Sequence, residues 1–462
     1  MIPEFQAALD ASLHTAIHFH RRRSVRAVSG GPGDGLATTG IDEGGTVRCV
    51  AEGGAPATVR FATPEGAPRA VRRAAELARS LRREGGTPRI PMPARHLDRT
   101  LVDAAPWTPG VDQVRAFVEE IGRMVRGQDR RIVKARVRQS VHLTERWVVT
   151  TDGVTLHDMT PVHDLVVVAI AEEDGTVERA IQSQGSGAPL DRERGDRMAR
   201  STAEAAIDLL TATPLAPGRY PVVLAPAAAA LLAHRALGHA LGGAPGVRPL
   251  PVGTRLGPET LTLGDDGTVP GLRGTLAVDD EGTPGQNTTL IRNGVVVGTI
   301  HSRESAAVAS PGDAPTGNMR TADPGTAPGL RLTNTYIAAG QSTLPDLIGD
   351  VSLGVYGLEA VGCRGDHGLA GLRLTAGRLI RNGALAEPVK DLVISTSLRE
   401  CLGRIEGVGA DFQWDLSASW CQGGGLGLVP VTVGAPHIRL IDLAVNDLLG
   451  GRPHDRGGYP DP

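Results

Sequence analysis

Aromatic residues and lysine are scarce in this sequence, and the shortage of aromatic residues limits which side chains can fill the core. Phenylalanine, tyrosine and tryptophan make up 3% of the 462 residues, so aliphatic side chains and alanine must fill the core. Lys134 and Lys390 are the only lysines, and arginine supplies the remaining basic charge. Because the formal net charge is −3, no strong overall field draws the chain to nucleic acid or to an anionic membrane.

Cysteine is equally rare, and its placement excludes a disulfide framework. Cys49, Cys363, Cys401 and Cys421 are not close in sequence, and no Cys-x-x-Cys pair occurs. The N-terminal residues lack the apolar segment and the cleavage site of a signal peptide. A run of about 18 apolar residues, which a membrane span would need, is also absent. These features predict a soluble, cytoplasmic protein.

The length of the chain and its many turn residues indicate two domains. A chain of 462 residues exceeds one ordinary core, and 61 glycines with 33 prolines favour turns over long helices. Residues 1–212 combine amphipathic helical segments with alternating strand segments, whereas residues 213–462 contain short strands and one conspicuous helix near 226–242. We therefore predict an α+β fold with an N-terminal α+β domain, 1–212, and a C-terminal β-rich domain, 213–462, that carries this helix.

Local patterns place the elements of the first domain. Apolar residues recur at helical spacing in three segments, 66–83, 113–127 and 191–212. Two stretches, 132–154 and 164–185, alternate apolar with polar residues and contain Asp-Gly turn signals. The Gly/Pro-rich segment 84–112 is predicted to be a loop.

The segment 221–243, PVVLAPAAAALLAHRALGHALGG, holds the residues that point to chemistry. Its alanine-rich helix carries His234 and His239, and neutral imidazoles bind zinc well. The two histidines are five residues apart, so a regular helix of about 100° per residue would hold them about 140° apart. They converge only if the helix is distorted or ends there, which Gly238 would ease. On spacing alone, two structurally ordinary histidines remain the favoured interpretation.

Several segments nevertheless resemble one known family. The run from Leu-Leu-Ala-His to Gly-His is similar to the HExxxH motif of TldD-type proteases, which has this longer spacing. Residues 278–305, 316–340 (TGNMRTADPGTAPGLRLTNTYIAAG) and 420–440 (WCQGGGLGLVPVTVGAPHIRL) are similar to segments that follow the metal helix in that family. The chain thus resembles the TldD/PmbA metallopeptidases over most of its length.

The resemblance implies a zinc site in a two-subunit enzyme. The family's two helix histidines and late cysteine fall on His234, His239 and Cys421, which leaves a fourth zinc position for water or a substrate carbonyl. For Cys421 the alternative is a buried apolar thiol beside Trp420. The resemblance further implies a heterodimer with a TldD/PmbA-family paralogue. Its substrates would be unfolded peptides or small peptide-like amides, including natural-product precursors, with no nucleic-acid or membrane partner.

Arg235 stands where the family motif has its catalytic glutamate. A guanidinium stays protonated and cannot accept a proton from water, so it cannot act as a general base. Three interpretations remain open. The chain is a silent partner of a catalytic paralogue, it uses zinc with a carboxylate supplied from elsewhere, or it serves as a non-hydrolytic binding protein.

The same resemblance suggests where substrate would lie. His301, Asn318, Asn334 and Tyr336 fall in segments similar to cleft-lining parts of the family, and their polar groups suit a peptide backbone. An ordinary structural role is the alternative for each, and it is the favoured one for His301.

Other motifs point away from rival chemistries. The acidic triplet 279–281 could suggest a metal site, but an exposed turn before Gly282 is the favoured interpretation, and the resemblance implies a structural or cleft-lining role. No Gly-x-Ser-x-Gly motif occurs, which disfavours a serine hydrolase. The run 423–427 lacks the Lys-Ser/Thr ending of a phosphate loop.

Overall fold

The protein consists of helices packed on extended antiparallel and mixed sheets, which confirms the predicted α+β class. A computed structural model describes residues 1–30, 35–51, 54–81, 97–101, 109–234, 250–309, 313–363, 369–421 and 427–446. In these ranges, none of the helices has both the length and the hydropathy needed to cross a bilayer.

One large sheet occupies the first part of the chain. Its strands are β1 (His14–Ser29), β2 (Ala37–Val50), β3 (Ala57–Phe61), β4 (Leu97–Leu101), β5 (Ile132–Thr150), β6 (Val154–Glu173) and β7 (Thr176–Ser186). They follow the order β3-β2-β1-β5-β6, and β4 and β7 pair with different stretches of β6. Only β4 is parallel to its neighbour among these described strands.

Helices cover one face of this sheet. They are α1 (Ile2–Ala8), α2 (Ala67–Ser80), α3 (Val111–Arg126) and α4 (Arg192–Thr211). Strand alternation explains which face they cover, because Phe19 and Val25 of β1 join the apolar clusters beneath the helices. His18 and His20, on either side of Phe19, therefore point to the opposite face of the sheet. The second half of the chain packs on that face.

The second half begins its sheet pairing at Thr213. Its strands are β8 (Thr213–Pro214), β9 (Gly218–Leu224), β10 (Leu263–Asp266), β11 (Asn287–Arg292), β12 (Val295–Val296), β13 (Met319–Arg320), β14 (Gly329–Leu330), β15 (Asn334–Ile337), β16 (Leu353–Cys363), β17 (Leu369–Arg381), β18 (Ala384–Lys390), β19 (Leu392–Ser397), β20 (Ile405–Val408), β21 (Gln413–Asp415), β22 (Trp420–Cys421), β23 (Val429–Pro430), β24 (Thr432–Ala435) and β25 (Ile438–Val445). The helices are α5 (Pro226–Leu232), α6 (Arg303–Val308), α7 (Leu344–Ile348) and α8 (Leu398–Gly403).

Two larger sheets enclose the second core. One has the order β12-β11-β10-β15-β24-β21, and the other has the order β16-β9-β25-β19-β17-β18-β8. Because β16 also pairs with β17, five strands of the second sheet close into a ring. Helix α5 packs against β16 and β24 and so connects the two sheets through a shared apolar core.

Most of the predicted helices are confirmed. The segments at 66–83, 113–127 and 191–212 correspond to α2, α3 and α4. The loop predicted for 84–112 is wrong at 97–101, where β4 pairs with β6. This strand depends on backbone pairing with a distant segment, which local composition does not reveal. The division into domains at residue 213 stays a prediction.

Buried charges join the two halves at the polar face of the first sheet. Nη1 of Arg146 donates to Oδ1 of Asp280 at 2.6 Å, and Nε of Arg146 donates to Oδ1 of Asp158 at 2.6 Å. Nε2 of His18 lies 2.8 Å from the carbonyl oxygen of Asp280. Burial would raise the pKa of Asp280, but the charges of Arg146 and His20 outweigh it and hold the pKa below its usual range.

The prediction that the acidic triplet forms an exposed turn is therefore wrong, because the turn is buried. The chain does turn before Gly282, which has a φ of +81°. However, Asp279 and Asp280 are each 1% exposed. Asp279 accepts backbone N–H bonds from Glu281, Thr283 and Met319. The triplet serves as the joint between the halves of the molecule.

Replacing Arg146 tests this joint. Arg146→Met leaves Asp158 and Asp280 buried without their cation, so the free energy of unfolding should fall by about 3–5 kcal/mol. Urea unfolding measures the change. Arg197→Met is the matched control, because Arg197 forms an exposed helical pair with Glu193 and should cost no more than about 0.5 kcal/mol. Equal losses of unfolding free energy for the two substitutions would contradict the proposed role of Arg146 in joining the two halves.

Candidate functional site

A short helix brings His234 into the protein interior. Pro226 starts α5 at a position where a helical N–H has no partner, which proline tolerates. The small alanines of α5 allow close packing against β16 and β24. At 233–234 the helix widens into a π turn, and His234 is 3% exposed.

The π turn bears on the spacing of the motif histidines. Its hydrogen bonds join residues five apart, so it places positions i and i+5 on one side of a helix. The described part of this turn ends at His234, so the placement of His239 relative to it stays a prediction. Arg235 and His239 lie outside the described residues, and their roles stay predictions.

A hydrogen-bond relay holds the ring of His234. Its Nδ1 lies 3.2 Å from Oγ1 of Thr335, and that hydroxyl donates to Oδ1 of Asp265 at 3.0 Å. A hydroxyl has one proton to donate, and Asp265 accepts it. Thr335 must therefore accept from His234, which places the ring proton on Nδ1 and the ring lone pair on Nε2. A histidine in this tautomer can bind a metal through Nε2.

Asp265 is the buried end of this relay. It also accepts from the backbone N–H of Thr333 at 3.0 Å, from the Thr333 hydroxyl at 2.7 Å and from the Asn318 amide at 2.8 Å. Burial raises the pKa of Asp265, and the hydrogen bonds from Thr333, Asn318 and Thr335 oppose that rise. Asp265 is the acceptor in each of these bonds, which fixes the direction of the relay.

Cys421 lies beside the sheet that contains β15 and β24. It is 2% exposed, pairs with Val429 and packs against Val431. Strand β24 begins directly after Val431 and runs parallel beside β15, which carries Thr335. The fold therefore brings Cys421 close to the strand pair on which His234 rests.

Two arginines add positive charge near Cys421. Arg320 donates to the carbonyl oxygens of Leu332 at 2.9 Å and Pro430 at 2.7 Å, which ties together the chain segments leading into β15 and β24. Burial lowers the pKa of Arg320 to about 10, and the charge of Cys421 opposes this change. Arg331 is buried, and in the described ranges its Nε and Nη2 have no hydrogen-bond partner. Nearby positive charge favours the thiolate form of cysteine, which is the form that binds metals.

Two of the three predicted metal ligands can therefore be located. Among the residues described by the structure, no group of three or more His, Cys, Asp or Glu side chains is arranged to hold a metal. The predicted set includes His239, which lies outside those residues. His234 and Cys421 as ligands stay a prediction that the geometry around them supports.

The amides of Asn318 and Asn334 make their hydrogen bonds inside the protein. Asn318 donates to Asp265 and to the carbonyl oxygen of Arg331 at 3.0 Å. Asn334 donates to the carbonyl oxygen of Asp266 at 2.7 Å and accepts from the Gly274 N–H at 3.1 Å. These contacts brace the sheet beneath His234, and contact of either amide with substrate stays a prediction.

Tyr336 and His301 are more accessible than the two asparagines. The hydroxyl of Tyr336 donates to Oδ1 of Asn287 at 3.0 Å. Nδ1 of His301 lies 3.2 Å from Oγ of Ser305, and its Nε2 lies 3.9 Å from Asp313. Burial lowers the pKa of His301, while Asp313 opposes the shift. Both side chains have polar atoms near the surface, where a substrate role stays a prediction.

Sequence reasoning did not single out Asp265, Thr335 or Arg320. Asp265 lies in LGDDG, a pattern that is typical of a turn, and Thr335 has the composition of an ordinary strand residue. Their importance follows from pairing between β10 and β15, which brings Asp265 opposite Thr335. A long-range contact of this kind leaves no local signal.

Comparisons with known proteins identify the family and agree with the fold. Residues 217–447 match the PmbA/TldA metallopeptidase C-terminal domain, and residues 104–210 match the PmbA/TldA metallopeptidase central domain. A metalloprotease of Synechocystis sp. is 32% identical over 339 residues, which cover 72% of each chain. A zinc metalloprotease TldD homolog of Saccharolobus solfataricus is 29% identical over 49% of this chain and 52% of its own.

A solved structure shows the same fold at low identity. TldE from Thermococcus kodakarensis matches with a TM-score of 0.73 and 18% sequence identity. The match covers 96% of this chain and 98% of the TldE chain. It therefore shows that the arrangement of both halves of the molecule is shared.

Removal of the Thr335 hydroxyl tests the relay. In metal-free protein, we expect His234 to carry its proton on Nδ1, and Thr335→Val should allow the Nε2–H tautomer because the acceptor is lost. Long-range ¹H–¹⁵N NMR of histidine-labelled protein distinguishes the two forms. Thr268→Val, at an exposed hydroxyl bonded to Asp266, should leave His234 unchanged. An Nε2–H tautomer in the unsubstituted protein would rule out the relay.

Proposed function

The chain belongs to the PmbA/TldD metallopeptidase family, and we propose that it is a subunit of a heterodimeric, zinc-dependent peptidase or amidase. Its partner would be a paralogue of the same family, and the pair would act in the cytoplasm. The observation that carries the proposal is the relay from Asp265 through Thr335 to His234, because it presents the lone pair of Nε2 for metal binding.

The donor set suits zinc. His234, His239 and Cys421 would supply two neutral nitrogens and one thiolate, a set that zinc accepts with one position left open. When bound, zinc supplies Lewis-acid polarisation of a scissile carbonyl. The relative from Saccharolobus solfataricus carries zinc in its name, which supports the choice of metal.

The surrounding residues have supporting roles in this proposal. Asp265 and Thr335 hold the imidazole of His234 in one tautomer, so no proton has to leave Nε2 before a metal binds. Arg320 and Arg331 favour the thiolate of Cys421. Burial of both ligands excludes water and strengthens these interactions.

Because Arg235 occupies the position of the family's glutamate, the general base must come from another residue. A permanent cation cannot take a proton from water, although it can hold a substrate carboxylate or polarise a carbonyl. The proposed enzyme therefore takes its base from another carboxylate, and the partner subunit is the natural source. Substrates would be unfolded peptides or small peptide-like amides, natural-product precursors among them, which can enter a cleft between two subunits.

A silent partner is the second candidate, and Arg235 is the observation that favours it. In that case the paralogue supplies the complete motif, and this chain shapes the cleft or binds substrate. The loss of a general base typically lowers the rate by about 10²–10⁴-fold, so retained ligands alone do not secure catalysis.

Zinc content tests the ligand set. The metal-free chain should take up about one zinc ion, and His234→Ala or Cys421→Ser should weaken binding by more than the roughly 10–100-fold typical of outer-shell changes. Metal analysis after equilibrium dialysis measures this. Cys401→Ala is the matched control, because burial raises the pKa of the Cys401 thiol to about 12 and keeps it protonated. Unchanged zinc uptake in both ligand variants would sink the assignment.

Restoring the glutamate tests the cause of any low activity. On the chain alone, which lacks the partner's carboxylate, Arg235→Glu should raise hydrolysis of an unfolded peptide by about 10²–10⁴-fold, because the new carboxylate can act as base. The double variant with His234→Ala should lose this gain. If Arg235→Glu binds zinc and leaves the rate unchanged, while mutation of the partner's motif abolishes activity, the silent-partner candidate is correct.

A further inference from the structure

A cavity lies between the first sheet and the second half of the chain, and its described lining includes neither His234 nor Cys421. Its volume is about 180 Å³, several times the roughly 30 Å³ that one water occupies in the liquid. The sheet contributes Ala16, His18, Thr46 and Arg48 to its floor. Asp280 and Glu281 of the acidic triplet and the start of α6 form the opposite wall.

The cavity exists because Ala16 has a much smaller side chain than its neighbours on the sheet. Ala16 pairs with Arg48 on one side and with Thr150 on the other, and His14 and His18 flank it along β1 on the same face. All four of these neighbours extend beyond the methyl group of Ala16. The cavity is therefore set by the side-chain sizes in the strand register.

Two buried polar atoms on this floor have no hydrogen-bond partner within the described ranges. They are Nδ1 of His18 and Oγ1 of Thr46, and the two residues are 3% and 1% exposed. They belong to neighbouring side chains, because His18 and Thr46 are direct partners across β1 and β2. A buried polar group without a partner costs about 1–3 kcal/mol, so two together at one cavity indicate a missing occupant.

The tautomer of His18 shows which kind of atom it offers. Its Nε2 lies 2.8 Å from the carbonyl oxygen of Asp280, which can only accept, so Nε2 carries the proton. Nδ1 therefore presents a lone pair to the cavity. Thr46 Oγ1 can also accept, so the floor is suited to a hydrogen-bond donor.

The charges around the cavity favour a cation. Arg48 is paired with Glu304, Arg303 with Asp152, and Arg146 with Asp280. Among the described residues that line the cavity, two arginines face three carboxylates: Arg48 and Arg303, and Asp280, Glu281 and Glu304. Oε2 of Glu281 accepts a backbone N–H from Arg303 at 2.7 Å. Burial raises the pKa of this carboxyl, and the charges of Arg303 and Arg48 oppose that rise, as a bound cation would.

We propose that this cavity binds a small solute through a protonated amine, which donates to Nδ1 of His18 and Oγ1 of Thr46 near the charge of Glu281. An ammonium group has three N–H donors and no acceptor, so it suits two lone pairs and a carboxylate at once. Entry is possible from the side of Arg48 and Glu304, whose side chains are 20% and 23% exposed. None of the described lining residues is a proposed zinc ligand, and binding at this cavity needs neither metal nor catalysis.

Three probes of one shape and different charge test the proposal. In the presence of EDTA, n-butylammonium should bind the full chain at least tenfold more tightly than n-butanol or butyrate, as measured by titration with saturation-transfer NMR. Ala16→Leu fills the cavity and should weaken n-butylammonium binding at least tenfold. Thr46→Val keeps the shape but removes one acceptor and should weaken it severalfold.

Thr39→Val is the control, because Thr39 is an exposed residue of the same strand outside the cavity, and binding should not change. If Ala16→Leu does not fold, the isosteric Thr46→Val variant and the probe series still decide the matter. Equal binding of n-butanol or butyrate, unchanged binding in the variants, or saturation by none of the probes would overturn the proposal. The last outcome would mean that the cavity holds water only.

Discussion

The hydrogen bonds to the buried carboxylate of Asp265 set the geometry on which the candidate metal site depends. Asp265 on β10 accepts from Thr333, Thr335 and Asn318, which come from two other segments of the chain. An acceptor that is buried and fully engaged fixes the direction of each donor around it. Thr335 therefore accepts from His234, and the ring of His234 has one tautomer and one orientation. A site assembled from distant segments needs such a fixed point, because His234 and Cys421 come from distant parts of the sequence.

A second buried carboxylate, Asp280, has a similar role at the joint between the halves of the molecule. Its carboxylate accepts from Arg146 and its backbone carbonyl accepts from His18, and both bonds hold the acidic triplet against the polar face of the first sheet. Buried ion pairs contribute little net stability compared with apolar packing, but they are costly to break on one side only. They are consequently better suited to fixing the relative placement of two surfaces than to stabilising either one. The amine-sized cavity lies in this joint, where the two surfaces do not fill the space above Ala16.

Much of the fold follows from periodicity in the sequence. Helices α2, α3 and α4 have apolar stripes at helical spacing, and β5 and β6 alternate along their length, so local patterns suffice for them. Strand β4 has no alternating pattern of its own. It forms through backbone pairing with β6, which is distant in the sequence. The acidic triplet misleads for a related reason. Its composition is typical of an exposed turn, and only Arg146 and the backbone N–H groups around it make burial tolerable.

The candidate site is predictable only in part. His234 and Cys421 follow from their resemblance to a family motif, but spacing alone predicts histidines that diverge, and the π turn at 233–234 is a local departure that no propensity indicates. Zinc K-edge absorption spectroscopy of the zinc-loaded protein tests the central claim most directly. The account predicts one sulfur at about 2.3 Å and two imidazole nitrogens at about 2.0–2.1 Å. A first shell of oxygen and nitrogen without sulfur would contradict it.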